Sequence, residues 1–249
     1  MENREGLDKL FFELASESRL GILRELQAER LKMQEIARRL NLTDTETCRQ
    51  LQRLSEASLI QKQPDGSYVL TQFGKLLMQF SRSFEFALKF KQCLLTRDIW
   101  RIPEPFVNRL GELSGTNLTI DTFDAFNLID LLISEAEKYL LFIVDKPIYA
   151  IYAKAGEKLQ KGVTTKVLLE EHNVSYYQKI PGAKGVLERR VINQIPARLQ
   201  ISEKSAAINL MSIDGRADSA LFYGEDPTFL RWAKDLFSYC WEQGKPIYQ

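Results

Sequence analysis

The chain has few of the residues that build metal centres and disulfide frameworks. Its 249 residues include one histidine and three cysteines. The cysteines, Cys48, Cys93 and Cys240, are odd in number and far apart, which argues against a disulfide scaffold or a zinc cluster. We expect reduced thiols that pack as small core residues in a cytoplasmic protein. No cofactor and no metal is predicted.

Long hydrophobic runs are also missing. One of the longest, Tyr139–Val144, is far shorter than the roughly 20 residues that span a bilayer. No apolar segment follows the charged residues at the start of the chain, so we expect neither a secretory signal nor a membrane partner. The net charge is only +1. Any basic surface for nucleic acid must therefore be local.

Catalytic motifs are equally scarce. The single histidine, His172, has no thiol, serine elbow or acidic pair at a fixed spacing, so no triad or zinc site can be assembled around it within one chain. Neither GxxxxGK nor GxGxxG occurs, which excludes these two phosphate-binding loops. We expect a protein that is not an enzyme.

Short helical patterns follow one another near the N-terminus. Thr43-Asp-Thr-Glu46 reads as a capping box, in which Thr43 accepts from the backbone N–H of residue 46 and Glu46 reaches back to that of residue 43. A helix is therefore predicted to start at Asp44. Apolar residues recur at helical spacing before it, over residues 7–15, 20–26 and 33–40.

A hairpin is predicted directly after these helices. On the helix that starts at residue 44, Thr47, Leu51 and Leu54 form the inward stripe. Residues 58–62 and 67–70 then flank a Pro-Asp-Gly turn, which is typical of a hairpin because glycine tolerates a positive φ. Helices followed by a small hairpin are the order of a winged helix-turn-helix.

The helix after the tight turn carries residue types that read double-stranded DNA. The major groove admits a helix, and residues near its N-terminus reach base edges. Arg49 can bind guanine, Gln50 or Gln52 can bind adenine, and Thr45 can contact a phosphate or a thymine methyl. Glu46 could accept from cytosine, although its capping role competes. The full predicted DNA-binding set is Arg38, Arg39, Thr43, Thr45, Glu46, Arg49, Gln50, Gln52, Arg53, Lys62, Ser67 and Tyr68.

Local charge gives modest support to this prediction. Residues 30–62 carry seven cationic and four anionic side chains, a local excess of +3. Such an excess suits contacts to phosphates, which supply the sequence-independent part of affinity. The alternative is that these residues are the solvent-facing side of a helical packing unit that binds proteins, as in an assembly or scaffold protein.

A longer helix and a connector follow the hairpin. Thr71 can cap a helix that runs to Leu95, and its apolar surface is too wide for a small domain to bury. We therefore expect Phe80 and Phe84 to pack against the other domain or a second subunit, and we predict a homodimer. Residues 98–117 interleave prolines and glycines with apolar residues that include Trp100, which indicates a structured connector.

The rest of the chain reads as a mixed α/β domain. We predict an N-terminal winged helix-turn-helix over residues 1–72, a helix and connector over 73–115, and an α/β effector or dimerisation domain over 116–249. Within the last, strands are expected at 139–145, 162–169, 197–202, 206–211 and 219–222, and helices at 123–138, 148–160 and 226–241.

A small-molecule site is expected at the strand ends of this domain, because ligands of open α/β sheets bind beyond the carboxyl ends of the strands. These ends are polar, so we predict a small polar metabolite. The alternative is the polar rim of a domain that only dimerises. The predicted ligand-binding residues are Asp145, Lys146, Glu170, His172 and Ser212.

Several segments carry a resemblance to a known family. LASESRLGILREL, MQEIARRLNL, TETCRQLQRLSEASLI and LTQFGKLL resemble the ArsR-like winged-helix domains of archaeal transcription regulators. RDIWRIPEPFVNRLGEL resembles the connector of the archaeal methanogenesis-regulator family, and residues 188–242 resemble its C-terminal domain.

This resemblance implies a homodimeric transcription regulator whose C-terminal sensor domain is similar to half of a phospholipase-D-type fold. Enzymes of that fold need a His-x-Lys motif. His172-Asn173-Val174 lacks the lysine, so the resemblance implies no hydrolysis. A phosphodiesterase-like enzyme remains the least favoured alternative.

Overall fold

The computed structural model describes residues 6–145, 149–173 and 187–247, and the chain divides into two compact units, Met1–Arg82 and Ser83–Gln249. The predicted fold class is confirmed: an N-terminal winged helix-turn-helix precedes an α/β sheet unit. Among the described residues, no helix combines the length and the apolar character that crossing a bilayer requires.

The first unit is a winged helix. Its three-stranded antiparallel sheet has the order β1-β3-β2, and the β2–β3 turn closes at Gly66, whose φ of +82° glycine adopts without strain. The predicted hairpin is confirmed. The elements of this first unit are α1 (Leu7–Leu14), α2 (Glu17–Ala28), β1 (Leu31–Lys32), α3 (Met33–Leu40), α4 (Asp44–Glu56), β2 (Ile60–Lys62) and β3 (Ser67–Leu70).

Helical periodicity sets the core of this unit. The predicted stripe of α4, Thr47, Leu51 and Leu54, is buried against Ile22 of α2 and Ile36 of α3. α3 and α4 are separated by a tight turn that begins at Asn41, which takes the left-handed conformation common at helix ends. The core therefore fixes which face of α4 points outward.

The helix after the wing is shorter than predicted. α5 spans Gln72–Lys89, with Thr71 accepting from the Gly74 N–H at 2.9 Å, so the predicted cap is confirmed. The helix ends at Lys89, and α6 (Lys91–Leu94) follows after Phe90 as a separate turn, so the prediction of a continuous helix to residue 95 is wrong. Phe90 packs edge-on against Phe222 with ring centroids 5.0 Å apart.

The second unit is built on an eight-stranded mixed sheet of order β11-β7-β6-β5-β8-β9-β10-β4, in which only the β5–β6 and β6–β7 pairs are parallel. Its strands are β4 (Asn117–Thr119), β5 (Tyr139–Val144), β6 (Thr164–Glu170), β7 (Leu187–Ile192), β8 (Ala197–Ser202), β9 (Ala206–Leu210), β10 (Leu221–Gly224) and β11 (Lys245–Pro246). The five predicted strands are present with shifts of at most two residues at their ends, and β4, β7 and β11 are additional.

Helices cover both faces of this sheet. α7 (Glu104–Val107) and α10 (Pro227–Gln243) pack on one face, and α8 (Thr122–Glu135) and α9 (Tyr149–Gln160) lie on the other. Leu199 and Ile201 of β8 point towards α10. The alternation of a strand therefore turns Arg198 and Gln200 towards the α8 face.

The connector is structured, as predicted. Ile102 and Phe106 are buried, and Trp232 of α10 donates from its indole nitrogen to the Phe106 carbonyl oxygen at 3.1 Å. Trp100, in contrast, is 85% exposed and contributes little to this packing.

Candidate nucleic-acid interface

The outward face of α4 is polar and accessible. Since Thr47 and the two leucines of its stripe point inward, Thr45, Cys48, Arg49 and Gln52 lie on the opposite side, and all four are exposed. Gln52 donates to the neighbouring Glu56 carboxylate at 2.9 Å. Thr45, Cys48 and Arg49 lie in the first half of the helix, the part that reaches base edges when such a helix enters a major groove, and Gln52 follows one turn later.

The N-terminus of α4 is capped by one half of the predicted box. Thr43 Oγ1 accepts from the Glu46 N–H at 3.2 Å, as predicted. The prediction of the reciprocal contact is wrong, because Glu46 Oε1 instead accepts from the hydroxyl of Ser18 on α2, at 3.4 Å. A residue from another helix thus competes for this carboxylate.

Two residues of the predicted DNA-binding set are buried. Gln50 is 5% exposed, and its Oε1 accepts from Arg19 Nη1 at 3.1 Å. Ser67 is 3% exposed, and its hydroxyl donates to Asp65 in the turn of the wing at 2.6 Å. Neither side chain is available to DNA in this conformation, so both are withdrawn from the set.

Two cations of the predicted DNA-binding set are held by carboxylates. Arg39 pairs with Glu29 at 2.7 Å and with Glu25 at 3.0 Å. Arg53 pairs with Glu13 of α1 at 2.6 Å. Hydrogen bonds to Glu29 and Glu25 raise the pKa of Arg39, and a hydrogen bond to Glu13 raises that of Arg53. These three carboxylates lie outside residues 30–62, so the local excess of positive charge is smaller than the sequence indicates.

The other three cations of the predicted DNA-binding set are exposed and differ from Arg39 and Arg53 in their pairing. Arg38 on α3, Arg49 on α4 and Lys62 on β2 are exposed, and none forms an ion pair with a carboxylate in the described part of the chain. Lys62 lies over the ring of the half-buried Tyr68, 5.9 Å from its centroid. Arg38, Arg49 and Lys62 are therefore the predicted cations with charge available to a phosphate or a base.

Sequence reasoning missed two residues in this part of the structure, one exposed and one buried. Cys48 was expected in the core but lies between Thr45 and Gln52 on the exposed face of α4. Arg19 is buried and links α1 and α2 to α4 through hydrogen bonds to Phe12 and Gln50. The signal for Arg19 was its position one turn before Ile22 on the inward face of α2.

The predicted ligand-binding residues do not form one pocket. Glu170 is buried and accepts from the Ile195 N–H at 3.0 Å, and the exposed His172 lies 3.4 Å from its other carboxylate oxygen. Ser212 donates to Asp214 within its own loop at 2.6 Å. Structural hydrogen bonds therefore occupy Glu170 and Ser212, so the expectation of a shared pocket is wrong for them and for His172.

Asp145 is the member of that set that borders a cavity. Its carboxylate accepts from Arg198 Nε at 2.7 Å, and both residues line a cavity of 270 Å³ on the α8 face of the sheet. Lys146 lies outside the described residues.

A protein-family model matches the N-terminal part of the chain. Residues 7–90, about a third of the chain, match the family model described as the HVO_A0261 N-terminal domain. No curated protein matches the chain by sequence.

Several solved structures are similar in fold at low identity. The archaeal chromatin protein TrmBL2 has a TM-score of 0.44 and 16% identity, over 97% of this chain and 100% of that one. NucT from Helicobacter pylori has a TM-score of 0.43 and 13% identity over 53% and 98% of the two chains. Nuc from Salmonella typhimurium, a phospholipase D family member, has a TM-score of 0.39 and 11% identity over 54% and 99%. These are loose likenesses of fold.

Proposed function

We propose that this chain is a sequence-specific transcription regulator that binds double-stranded DNA as a homodimer and carries a non-catalytic, ligand-responsive C-terminal unit. The observation that carries the proposal is the outward face of α4. Thr45, Arg49 and Gln52 stand there on a helix whose inward face the core holds fixed.

The distribution of paired and unpaired cations supports this reading. Arg39 and Arg53 already have carboxylate partners, whereas Arg49 on α4, Arg38 on α3 and Lys62 on β2 have none among the described residues. An arginine on the reading face can take guanine bidentately, and flanking cations suit phosphates. A packing surface for proteins would more commonly place apolar anchors at its centre.

The homodimer rests on a separate surface of the first unit, which we call the α1–α5 apolar surface: Leu7 and Phe11 of α1 with Phe73, Leu76 and Phe80 of α5. Each of these residues is between 44% and 65% exposed, and Leu7 and Phe73 line the same cleft. Single exposed apolar residues are ordinary, but five on two adjoining helices indicate an interface.

The area of this surface fits a dimer. At about 180 Å² for each fully exposed residue of this size, the five expose about 480 Å². A standard interface buries about 800 Å² on each partner, of which roughly 56–65% is apolar. In a two-fold dimer the two α4 helices would lie about 34 Å apart, one turn of DNA, over a pseudo-palindromic site.

Cys48 gives a direct test of DNA binding at α4. The duplex would be one recovered by selection from random sequences, and the readout is the rate of alkylation by N-ethylmaleimide, followed by mass spectrometry. We expect saturating duplex to slow alkylation of Cys48 at least tenfold. Cys93, half-buried in the second unit, serves as the internal control because its rate reports any general effect of the duplex.

The same experiment also distinguishes the proposed regulator from a scaffold protein. Failure to recover any preferred duplex, or alkylation of Cys48 at an unchanged rate under saturating duplex, would overturn the proposal. A scaffold that uses the winged helix for protein contacts would give that second result. DNA binding that weakens as the salt concentration rises, together with protection of Cys48, would support the proposed regulator, since contacts to phosphates are salt-dependent.

A further inference from the structure

The cavity on the α8 face of the second unit has an apolar body. Ala125 and Ile129 of α8 and Phe142 and Val144 of β5 line it, and all four side chains are largely buried. Its volume is 270 Å³. Since a cavity of about 150 Å³ holds benzene, this one suits a ligand of about eleven non-hydrogen atoms, the size of a bicyclic ring system.

One end of the cavity is polar, but its charges are compensated. Arg198 binds Asp145 through two nitrogens and Asn209 Oδ1 through the third, at 2.6 Å. Hydrogen bonding to Asp145 raises the pKa of Arg198, which keeps the guanidinium charged. Asp218, also at this end, pairs with Arg97 at 2.6 Å. Among the described residues that line this end, a charged ligand would therefore find no free counter-charge, and it would lose its hydration without compensation.

Gln200 is the one polar residue, among the described residues that line this cavity, whose side chain has a buried atom without a hydrogen-bond partner. It lies on β8 beside Phe142 of β5 and is 7% exposed, and its Oε1 is fully buried without a hydrogen bond. A buried acceptor without a partner has lost its hydration and gained nothing in return, so native proteins retain few of them. A glutamine amide also offers two donor hydrogens on the same group. It can therefore both accept from and donate to one ligand group.

We propose that the cavity lined by Phe142, Ile129 and Gln200 binds a neutral, largely apolar small molecule that carries one donor–acceptor group, such as a lactam or a primary amide. The ligand's apolar ring lies against α8 and β5, and its polar group pairs with the amide of Gln200. This changes the expectation of a polar metabolite, because the lining is mainly apolar. The regulatory meaning of the site rests on the proposed function, but its binding step does not.

Three bicyclic probes of similar size test the ligand class: 2-quinolinone, a neutral lactam; naphthalene, which lacks a polar group; and 2-naphthoate, which is anionic. Affinities for the full chain would be measured by ligand-observed NMR titration. We expect 2-quinolinone to bind about tenfold more tightly than naphthalene, as one or two hydrogen bonds allow, and 2-naphthoate to bind weakest.

Three variants locate the site. Gln200→Met keeps a side chain of similar length and should reduce 2-quinolinone affinity about tenfold while leaving naphthalene binding unchanged. Ala125→Phe fills the cavity and should abolish binding of both. Thr165→Val is the matched control, because Thr165 also has a buried oxygen without a partner but does not line the cavity. It should change neither affinity.

The inference is overturned if neither neutral probe binds below about 1 mM, if 2-naphthoate binds best, or if Gln200→Met and Thr165→Val behave alike. Should Ala125→Phe fail to fold, the ratio of 2-quinolinone to naphthalene affinity in Gln200→Met still decides. DNA binding without any probe is measured separately. A chain that binds DNA but no probe refutes only this site, and one that binds 2-quinolinone but no DNA refutes only the proposed function.

Discussion

Replacing Arg19 by methionine should destabilise the N-terminal unit more than any surface charge change. The Arg19 side chain is 6% exposed and ion-pairs with Glu13 at 3.1 Å. It also donates to the carbonyl oxygens of Phe12 and Glu13, each at 2.7 Å, and to Gln50 at 3.1 Å. The two carbonyls lie in the last turn of α1, where a cation also stabilises the helix dipole.

The magnitude follows from what each partner can do after the change. The carbonyls at the end of α1 can regain water if that short helix frays, whereas Gln50 stays buried without a donor. Breaking a buried charged contact costs about 3–5 kcal/mol, and fraying keeps the loss near the lower end. We therefore expect Arg19→Met to lower the free energy of unfolding of this unit by about 3 kcal/mol. Adding Gln50→Leu should recover roughly 1 kcal/mol, because the unpaired amide oxygen is gone.

The two units can be followed separately in urea. Trp100, Trp232 and Trp241 all lie in the second unit, so tryptophan fluorescence reports that unit, and far-UV circular dichroism reports both. Arg39→Met is the matched control: Arg39 binds the carboxylates of Glu25 and Glu29, but at the surface, where solvent screening leaves such pairs with little net stabilisation. Equal destabilisation by Arg19→Met and Arg39→Met would show that the burial of Arg19 does not matter and would refute the reasoning.

Three further outcomes are expected. Arg49→Ala should cost about 1–3 kcal/mol on the selected duplex and far less on random DNA, whereas Arg38→Ala should weaken both alike; competition gel shifts distinguish them. Phe80→Asp should give monomers in sedimentation equilibrium, while Phe123→Asp, at a residue that is even more exposed but lies outside the α1–α5 apolar surface, should stay dimeric, and a monomeric unmodified chain would contradict the dimer. Gly74→Ala would place a methyl group 2.1 Å from a backbone carbonyl oxygen, so urea unfolding should show a loss of about 1–3 kcal/mol; an unchanged midpoint would contradict the close approach.

Local pattern was enough to predict the winged helix. The spacing of Thr47, Leu51 and Leu54 fixed the inward face of α4, and Thr43 and Gly66 marked a cap and a turn by chemistry that acts over two or three residues. The alternation of strands and helices likewise predicted the α/β class. Each of these signals lies within one element, so no knowledge of its neighbours is needed.

The sequence by itself also proposed a DNA-reading face, but tertiary contacts decided which residues are available there. Gln50 is three residues from Thr47 and lies close to the same inward face, where Arg19, 31 residues away, engages it. Arg39 and Arg53 have partners 10 to 40 residues distant along the chain. Periodicity cannot reveal such partners, because a hydrogen bond or an ion pair depends on distance in space and on solvent exclusion.

The cavity depended on tertiary structure throughout. Asp145 directly follows β5, Arg198 lies on β8 and Asn209 on β9, and the antiparallel pairing of β8 with both β5 and β9 brings them to one end of the sheet. In the sequence Arg198 and Gln200 read only as alternating polar positions of a strand. Their burial is set by α8, which covers that face of the sheet and turns it from a solvent surface into the wall of a cavity.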